Sequence, residues 1–315
     1  MRNSSKVLLS VLLLFPFIIP AVLINSLDGS GNTTAPLGGQ GWNYVGRITG
    51  SATSSVTYVG NNWFITANHV KVSDTPTSIY FNGHTHNITQ WSNQLSYGMY
   101  NADLVMFRVD GSIAVPNITL HSDPIVSGTN VTMIGNGRNR QVPLTTWHIG
   151  TDPGTDVWSE SVSPDTDLTR EGYKWGTGSS KRWGTNEVAL SNLLLNDGYG
   201  TSVMFSTTFD DAGGSNEAQG ATYDSGGGVF IQNGSAWELA GMMVAVDRHI
   251  GQPASTSVYG NPTYSVDLSY YQAEIESILV IPEVSSLQLS SLMLLVCALI
   301  CCRLKKSPKP NAPQT

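Results

Sequence analysis

The sequence predicts an all-β body, and three observations carry that reading. Short runs of alternating or continuously apolar residues recur along most of the chain, and Gly, Asn, Asp and Pro punctuate nearly all of them. Charged residues make up only 12% of a chain that holds 32 glycines, a composition suited to short strands joined by many turns. Only one late segment has clear helical spacing. Many short strands at regular intervals indicate a sandwich or a barrel, and periodicity alone does not choose between them.

In chain order, the N-terminus opens with Arg2 and Lys6 and continues into an apolar run over 7–24, broken by Pro16 and Pro20. This is the pattern of an export signal, with removal expected between Ala21 and Ser30 and the segment taken as residues 1–27. The body spans 38–280. Alternating runs over 43–48 and 55–59, and a nearly continuous apolar run over 63–67, read as its first strands. Runs at 104–109, 131–134, 203–209, 229–232, 239–246 and 264–268 read as later ones. The stretch 150–220 is less regular and carries Trp158, Trp175 and Trp183, with Trp147 just before it. It reads as a long inter-strand loop region with some hairpins, packed on the body. A helix over 269–279 places Tyr271, Ile275 and Ile278 on one face.

An apolar segment at 287–302 follows, backed by Arg303, Lys305 and Lys306. It reads as a C-terminal membrane helix with its basic tail on the cytoplasmic side. The chain's 3 cysteines, Cys297, Cys301 and Cys302, all lie in this segment, so the exported body is held by core burial without disulfides. Residues 281–306 form an anchor region and 307–315 a disordered tail. A net charge of −7 with no basic block in the body excludes nucleic-acid binding as the main task.

Acyl transfer requires a nucleophile, a base and a group that orients the base. Asp224-Ser225-Gly226-Gly227 offers the nucleophile, with glycines that allow a tight turn and close approach of a carbonyl. The same pattern also suits an ordinary Gly-rich turn. Among 6 histidines, His69 ends an apolar run in Phe64-Ile65-Thr66-Ala67-Asn68-His69, where it is either a satisfied core residue or a base. His84 and His86 lie in a polar, hairpin-like stretch without acidic neighbours, so no metal site is expected there. Asp103, just ahead of the apolar Leu104-Val105-Met106-Phe107, is the best orienting carboxylate.

Taken together, three blocks resemble the chymotrypsin-like (trypsin family) serine peptidases. Thr66-Ala67-Asn68-His69-Val70 resembles the family's Thr-Ala-Ala-His-Cys, Ala102-Asp103-Leu104-Val105 its Asp-Ile-Ala-Leu, and Tyr223-Asp224-Ser225-Gly226-Gly227 its Gly-Asp-Ser-Gly-Gly. They occur in the family's order, and the resemblance covers about residues 41–279. It implies two six-stranded antiparallel Greek-key barrels with a C-terminal helix, no cofactor, and hydrolysis of a protein or peptide substrate. His69 is then the base, Asp103 its orienting group and Ser225 the nucleophile, with the amides of Tyr223 and Ser225 as the oxyanion hole. Gln219, Val244, Val246 and Pro262 stand at its substrate pocket. Neutral Gln219 does not support a preference for basic residues, and Val246 and Pro262 imply a narrowed pocket for small side chains. The alternative is a non-catalytic binding module on the same fold. The family's Gly is replaced by Tyr223. No Ile-Val-Gly-Gly block precedes Trp42, so the family's pairing of a new N-terminal amine with the Asp before the serine is not expected. Asp224 is expected to find another donor. Pro282-Glu283-Val284, the apolar segment and the basic cluster resemble PEP-CTERM sorting tails. That implies an envelope location and an exosortase-type processing partner.

Overall fold

The computed structural model describes residues 22–26, 28–50, 53–152, 155–161 and 168–280. Most of the export segment, the Pro-Glu-Val motif and the apolar segment at 287–302 lie outside the described residues. Among the described residues no helix is long and apolar enough to cross a membrane. One compact unit ends at Leu279, and of the second only Val280 is described.

The chain is mostly β. Its strands in order are β1 (Leu23–Ile24), β2 (Val45–Ile48), β3 (Ser55–Gly60), β4 (Trp63–Thr66), β5 (Ser78–Phe81), β6 (His84–Tyr97) and β7 (Tyr100–Val109). Then come β8 (Thr119–Leu120), β9 (Asn130–Gly135), β10 (Arg138–Arg140), β11 (Thr145–Asp152), β12 (Thr155–Ser159), β13 (Leu168–Ser179) and β14 (Arg182–Asn196). The last are β15 (Thr201–Thr208), β16 (Ala218–Gln219), β17 (Gly228–Asn233), β18 (Ala236–Val246), β19 (Thr256–Val258) and β20 (Pro262–Asp267). Two α-helices are described, α1 (Asn68–Asp74) and α2 (Gln272–Leu279), the second entered through a 3₁₀ turn at Leu268–Tyr271.

β2, β3, β4, β7, β6 and β5 close a six-stranded barrel in that order. Its interior is a nest of rings: Phe64 stacks on Phe107 at 5.5 Å and meets Phe81 edge-on at 4.9 Å. The second sheet has seven strands, ordered β17-β9-β14-β15-β20-β18-β8, and β17 also pairs with β18. Six of its strands therefore pair round a ring, and β8 is added in parallel to β18. The resemblance implied two six-stranded barrels. The first is present as a closed barrel; in place of the second stands this seven-stranded sheet.

The stretch 150–220 departs from expectation. Instead of a loop region it contains the 12-residue β13 and the 15-residue β14. β13 joins β10, β11, β12 and β19 in a five-stranded sheet. Both long strands carry exposed and half-buried positions that blur the alternation of their sequences. The tryptophans are structural: Trp147 is buried, Trp175 donates to Ser257 Oγ and Trp183 to the Thr34 carbonyl. The expected runs at 63–67, 131–134, 229–232 and 239–246 coincide with β4, β9, β17 and β18 to within a few residues. β1 is short but fully buried, and pairs Leu23 with Gln219 and Ile24 with Ala218.

Candidate active site

Strand register brings His69 to Asp103. β4 and β7 are antiparallel with Thr66 opposite Val105, so the chain leaving β4 runs beside the residues that enter the core of β7. His69 follows β4 in the first turn of α1. Its Nδ1 lies 2.6 Å from Asp103 Oδ2, and its backbone amide donates to Asp103 Oδ1 at 2.8 Å. Two bonds to one carboxylate fix both the ring and the backbone that carries it. With Nδ1–H donated to the carboxylate, Nε2 is the acceptor nitrogen. Asp103 is fully buried, and its own amide donates to Ser202 Oγ at 3.0 Å. Burial pushes its carboxyl above the usual carboxylate range, against the pull of the His69 hydrogen bonds.

Ser225 comes from the turn before β17. The Asp224 amide donates to the Ala221 carbonyl, and Tyr223 has φ +80°, which makes 221–224 a type II turn. That turn is sewn to β3 of the closed barrel. The Tyr223 carbonyl accepts from the Ser55 amide and hydroxyl, each at 3.0 Å, and Thr57 Oγ1 donates to the Gly226 carbonyl at 2.9 Å. Gly226 has φ +87°, and a Cβ there would stand 2.0 Å from the Ser55 carbonyl, so only glycine fits. Among the described residues the amides of Tyr223 and Ser225 donate to no acceptor, whereas Asp224 and Gly226 between and after them do.

His69 and Ser225 line one cleft of about 310 Å³, with Gly220, Tyr223, Val244 and Val246. The Ser225 hydroxyl donates to the Val244 carbonyl at 3.4 Å. Of the expected pocket residues, Val244 and Val246 line this cleft. Gln219 and Pro262 sit one residue behind it, where the Gln219 amide donates to the Pro262 carbonyl at 3.4 Å, and their neighbours Gly220 and Thr263 face the space. The pleat explains the displacement, since adjacent strand residues point to opposite faces. Thr263 and Val246 crowd Gly220, whose Cβ would lie 2.9 and 3.2 Å from them.

Asp224 is the buried anchor of the turn. Its carboxylate accepts from the Gly137 amide at 2.7 Å and the Ala221 amide at 2.9 Å, and also from the Val22 backbone. Burial pushes its carboxyl up to about 7 despite these donors and the field of Arg182. Thus the expected other donor for Asp224 is the chain at Val22, together with two loop amides. Ser55, Thr57, Gly137, Ser202 and Val22 all support the site. Each lies on a different segment from the residue it holds, and no local sequence signal marks them. Among the described residues no cluster of three metal-ligating side chains occurs, and His84 and His86 lie apart on β6 beside a separate groove.

No protein-family model matches the chain, and no curated protein matches it. Among solved structures it is similar to Rv3671c from M. tuberculosis H37Rv in an inactive form, at 13% identity over 84% of this chain and 99% of that one, TM-score 0.47. It is also similar to neuropsin, a serine protease expressed in the limbic system of mouse brain, at 16% identity over 79% and 98%, TM-score 0.47. At such identities and TM-scores the likeness carries no weight for the chemistry, which rests on the geometry above.

Proposed function

We propose that the chain is an exported serine endopeptidase that works through His69, Asp103 and Ser225. The observation that carries this reading is a buried carboxylate bonded to the imidazole of His69, which lines the same cleft as Ser225. In the proposed mechanism the Ser225 hydroxyl turns from the Val244 carbonyl toward His69, whose Nε2 takes its proton as Oγ attacks the scissile carbonyl. Asp103 holds the ring in the tautomer that can accept and stabilises the imidazolium. The free amides of Tyr223 and Ser225 receive the oxyanion. His69 then returns the proton to the leaving amine, and water repeats the sequence on the acyl-enzyme. The crowding of Gly220 by Val246 and Thr263 favours a small side chain next to the scissile bond.

The test is labelling with a fluorophosphonate. Labelling of the wild type that is lost in Ser225→Ala supports the reading. A folded wild type that does not label favours a non-catalytic binding module, to which the bond between Ser225 and Val244 lends some support.

Export and anchoring belong to the same proposal. The motif at Pro282-Glu283-Val284, the apolar run and the basic residues after it support retention at the cell envelope, with trimming by an exosortase-type enzyme. Within the 21–30 window the early edge fits best, because removal through residue 27 would discard the buried β1. Cleavage after Ala21 would leave Val22 as a free α-ammonium beside Asp224, restoring the amine pairing that the absence of an Ile-Val-Gly-Gly block argues against. N-terminal sequencing of the exported protein checks this, and a start beyond Ile24 sinks it.

A further inference from the structure

A second pocket lies away from the cleft, where β2 and the β5–β6 turn meet the turn between β13 and β14. Its volume is about 310 Å³, and it shares no lining residue with the cleft of Ser225. Arg47 of β2 lines it together with Ser179, Ser180 and Lys181 of the β13–β14 turn, and no acidic residue does. Buried Asn136 fixes its wall: Nδ2 donates to the Gly46 carbonyl at 2.8 Å and the amide donates to Ser55 Oγ at 2.7 Å.

Neither cation is neutralised. Lys181 Nζ donates to the Val45 carbonyl at 2.5 Å and stands over the Trp42 ring at 4.5 Å. Arg47 donates to the Ile48 carbonyl at 3.4 Å and stands over the Tyr80 ring at 5.1 Å. Among the described residues neither forms an ion pair. Burial pushes the Lys181 amine down to about 7, because one carbonyl and one ring do not replace the water it has lost. The conjunction sets the place apart: two half-buried, unpaired cations and two serines share one concave space without a carboxylate, on a chain of net charge −7.

We infer that this pocket binds a small oxyanion, a sulfate, phosphate or carboxylate group, held by Lys181 and Arg47. A guanidinium offers paired donors in a fork that matches two oxygens, and an ammonium adds a point charge. Ligand sites run from about 300 to about 1,000 Å³. At the lower end of that range, the pocket suits a free anion or one with a short organic part and is too small for a length of polypeptide. The site is independent of the peptidase reading.

Sulfate is the first probe, because its charge does not change with pH near neutrality. Titration calorimetry on the whole chain, at an ionic strength fixed with sodium chloride, is expected to show saturable sulfate binding at about pH 6. Lys181→Met and Arg47→Met should each weaken it by about tenfold or more. Wild-type affinity should fall by about tenfold between about pH 6 and about pH 8.5, as the free amine loses its proton. Arg47 and Tyr80, the other ionisable side chains that line the pocket, are of types that keep their charge state over that range. Lys181→Arg should therefore bind equally at both pH values. Phosphate and succinate, titrated in the same way, tell a phosphate ligand from a carboxylate one by which binds more tightly. The absence of saturable binding of all three to wild type, unchanged affinity in both methionine variants, or an equal fall with pH in Lys181→Arg overturns the proposal. Should a methionine variant fail to fold, the pH profile of Lys181→Arg decides.

Discussion

Tyr223 holds the third position of a type II turn with φ +80°, a conformation that costs a side-chain-bearing residue about 1–2 kcal/mol. Its ring lies under the Arg138 guanidinium at 5.4 Å, a contact worth about 0.5–1 kcal/mol at an exposed site. The contact offsets part of that cost. Tyr223→Gly is therefore expected to stay within about 1 kcal/mol of wild type in a urea melt and to keep fluorophosphonate labelling. Tyr223→Val, with a β-branched chain in the same backbone well, is expected to be clearly less stable. At Asp103 the expected effect is catalytic. Asp103→Asn removes the acceptor that sets the His69 tautomer, so peptide turnover should fall by about 10⁴-fold. A loss below tenfold in a folded variant would show that Asp103 does not orient the base.

At the scale of elements, the turn 221–228 is defined by what it touches. Gly226 abuts the Ser55 carbonyl of β3, whereas Gly198 at the hairpin tip has φ +91° but no neighbour within 4 Å of a built Cβ. The pair separates steric contact from backbone preference. Gly198→Ala is expected to cost about 1 kcal/mol, and Gly226→Ala at least about 2 kcal/mol more, read as the difference in urea midpoints. Equal costs would mean that the turn yields and does not lock onto β3. The elements legible in the sequence, such as β4, β9, β17 and most of β18, are buried along most of their length and read as apolar runs. β6 and β14 were not legible, because nearly all of β6 and most of β14 are exposed or half-buried, and pairing with neighbours creates them. The hairpin-like stretch at His84 and His86 was legible, and Asn82 and Gly83 before it adopt the positive φ of a tight turn.

For the molecule as a whole, buried carboxyls govern the response to pH. Burial pushes both Asp224 and Glu217 up to about 7. The folded chain keeps protons there that the unfolded chain releases, so stability falls as pH rises from the ordinary carboxylate range to about 7. It then levels off as far as these two groups are concerned. Asp224→Asn should reduce that decline in thermal melts taken from pH 4 to 7, leaving the share of Glu217. A chain beginning at Val22 should also decline less than the full-length one, because an α-ammonium beside Asp224 favours the charged carboxylate. Identical slopes for the two chains would mean that the new terminus does not reach Asp224.

The sequence by itself determined the all-β class, since apolar runs bounded by turn residues survive in any arrangement that buries them. It also marked His69, Asp103 and Ser225, because their blocks are local patterns of residue type. Tertiary structure alone decided what stands around them. The β4–β7 register brings His69 to Asp103, and the stitching of the 221–228 turn to β3 leaves two amides free beside Ser225. The contact of Val22 with Asp224 and the ring of Tyr199 on His69 likewise join segments far apart in the chain. Such contacts depend on strand pairing and on the close packing of the barrel and the second sheet, and neither leaves a trace in the run of residues on one segment.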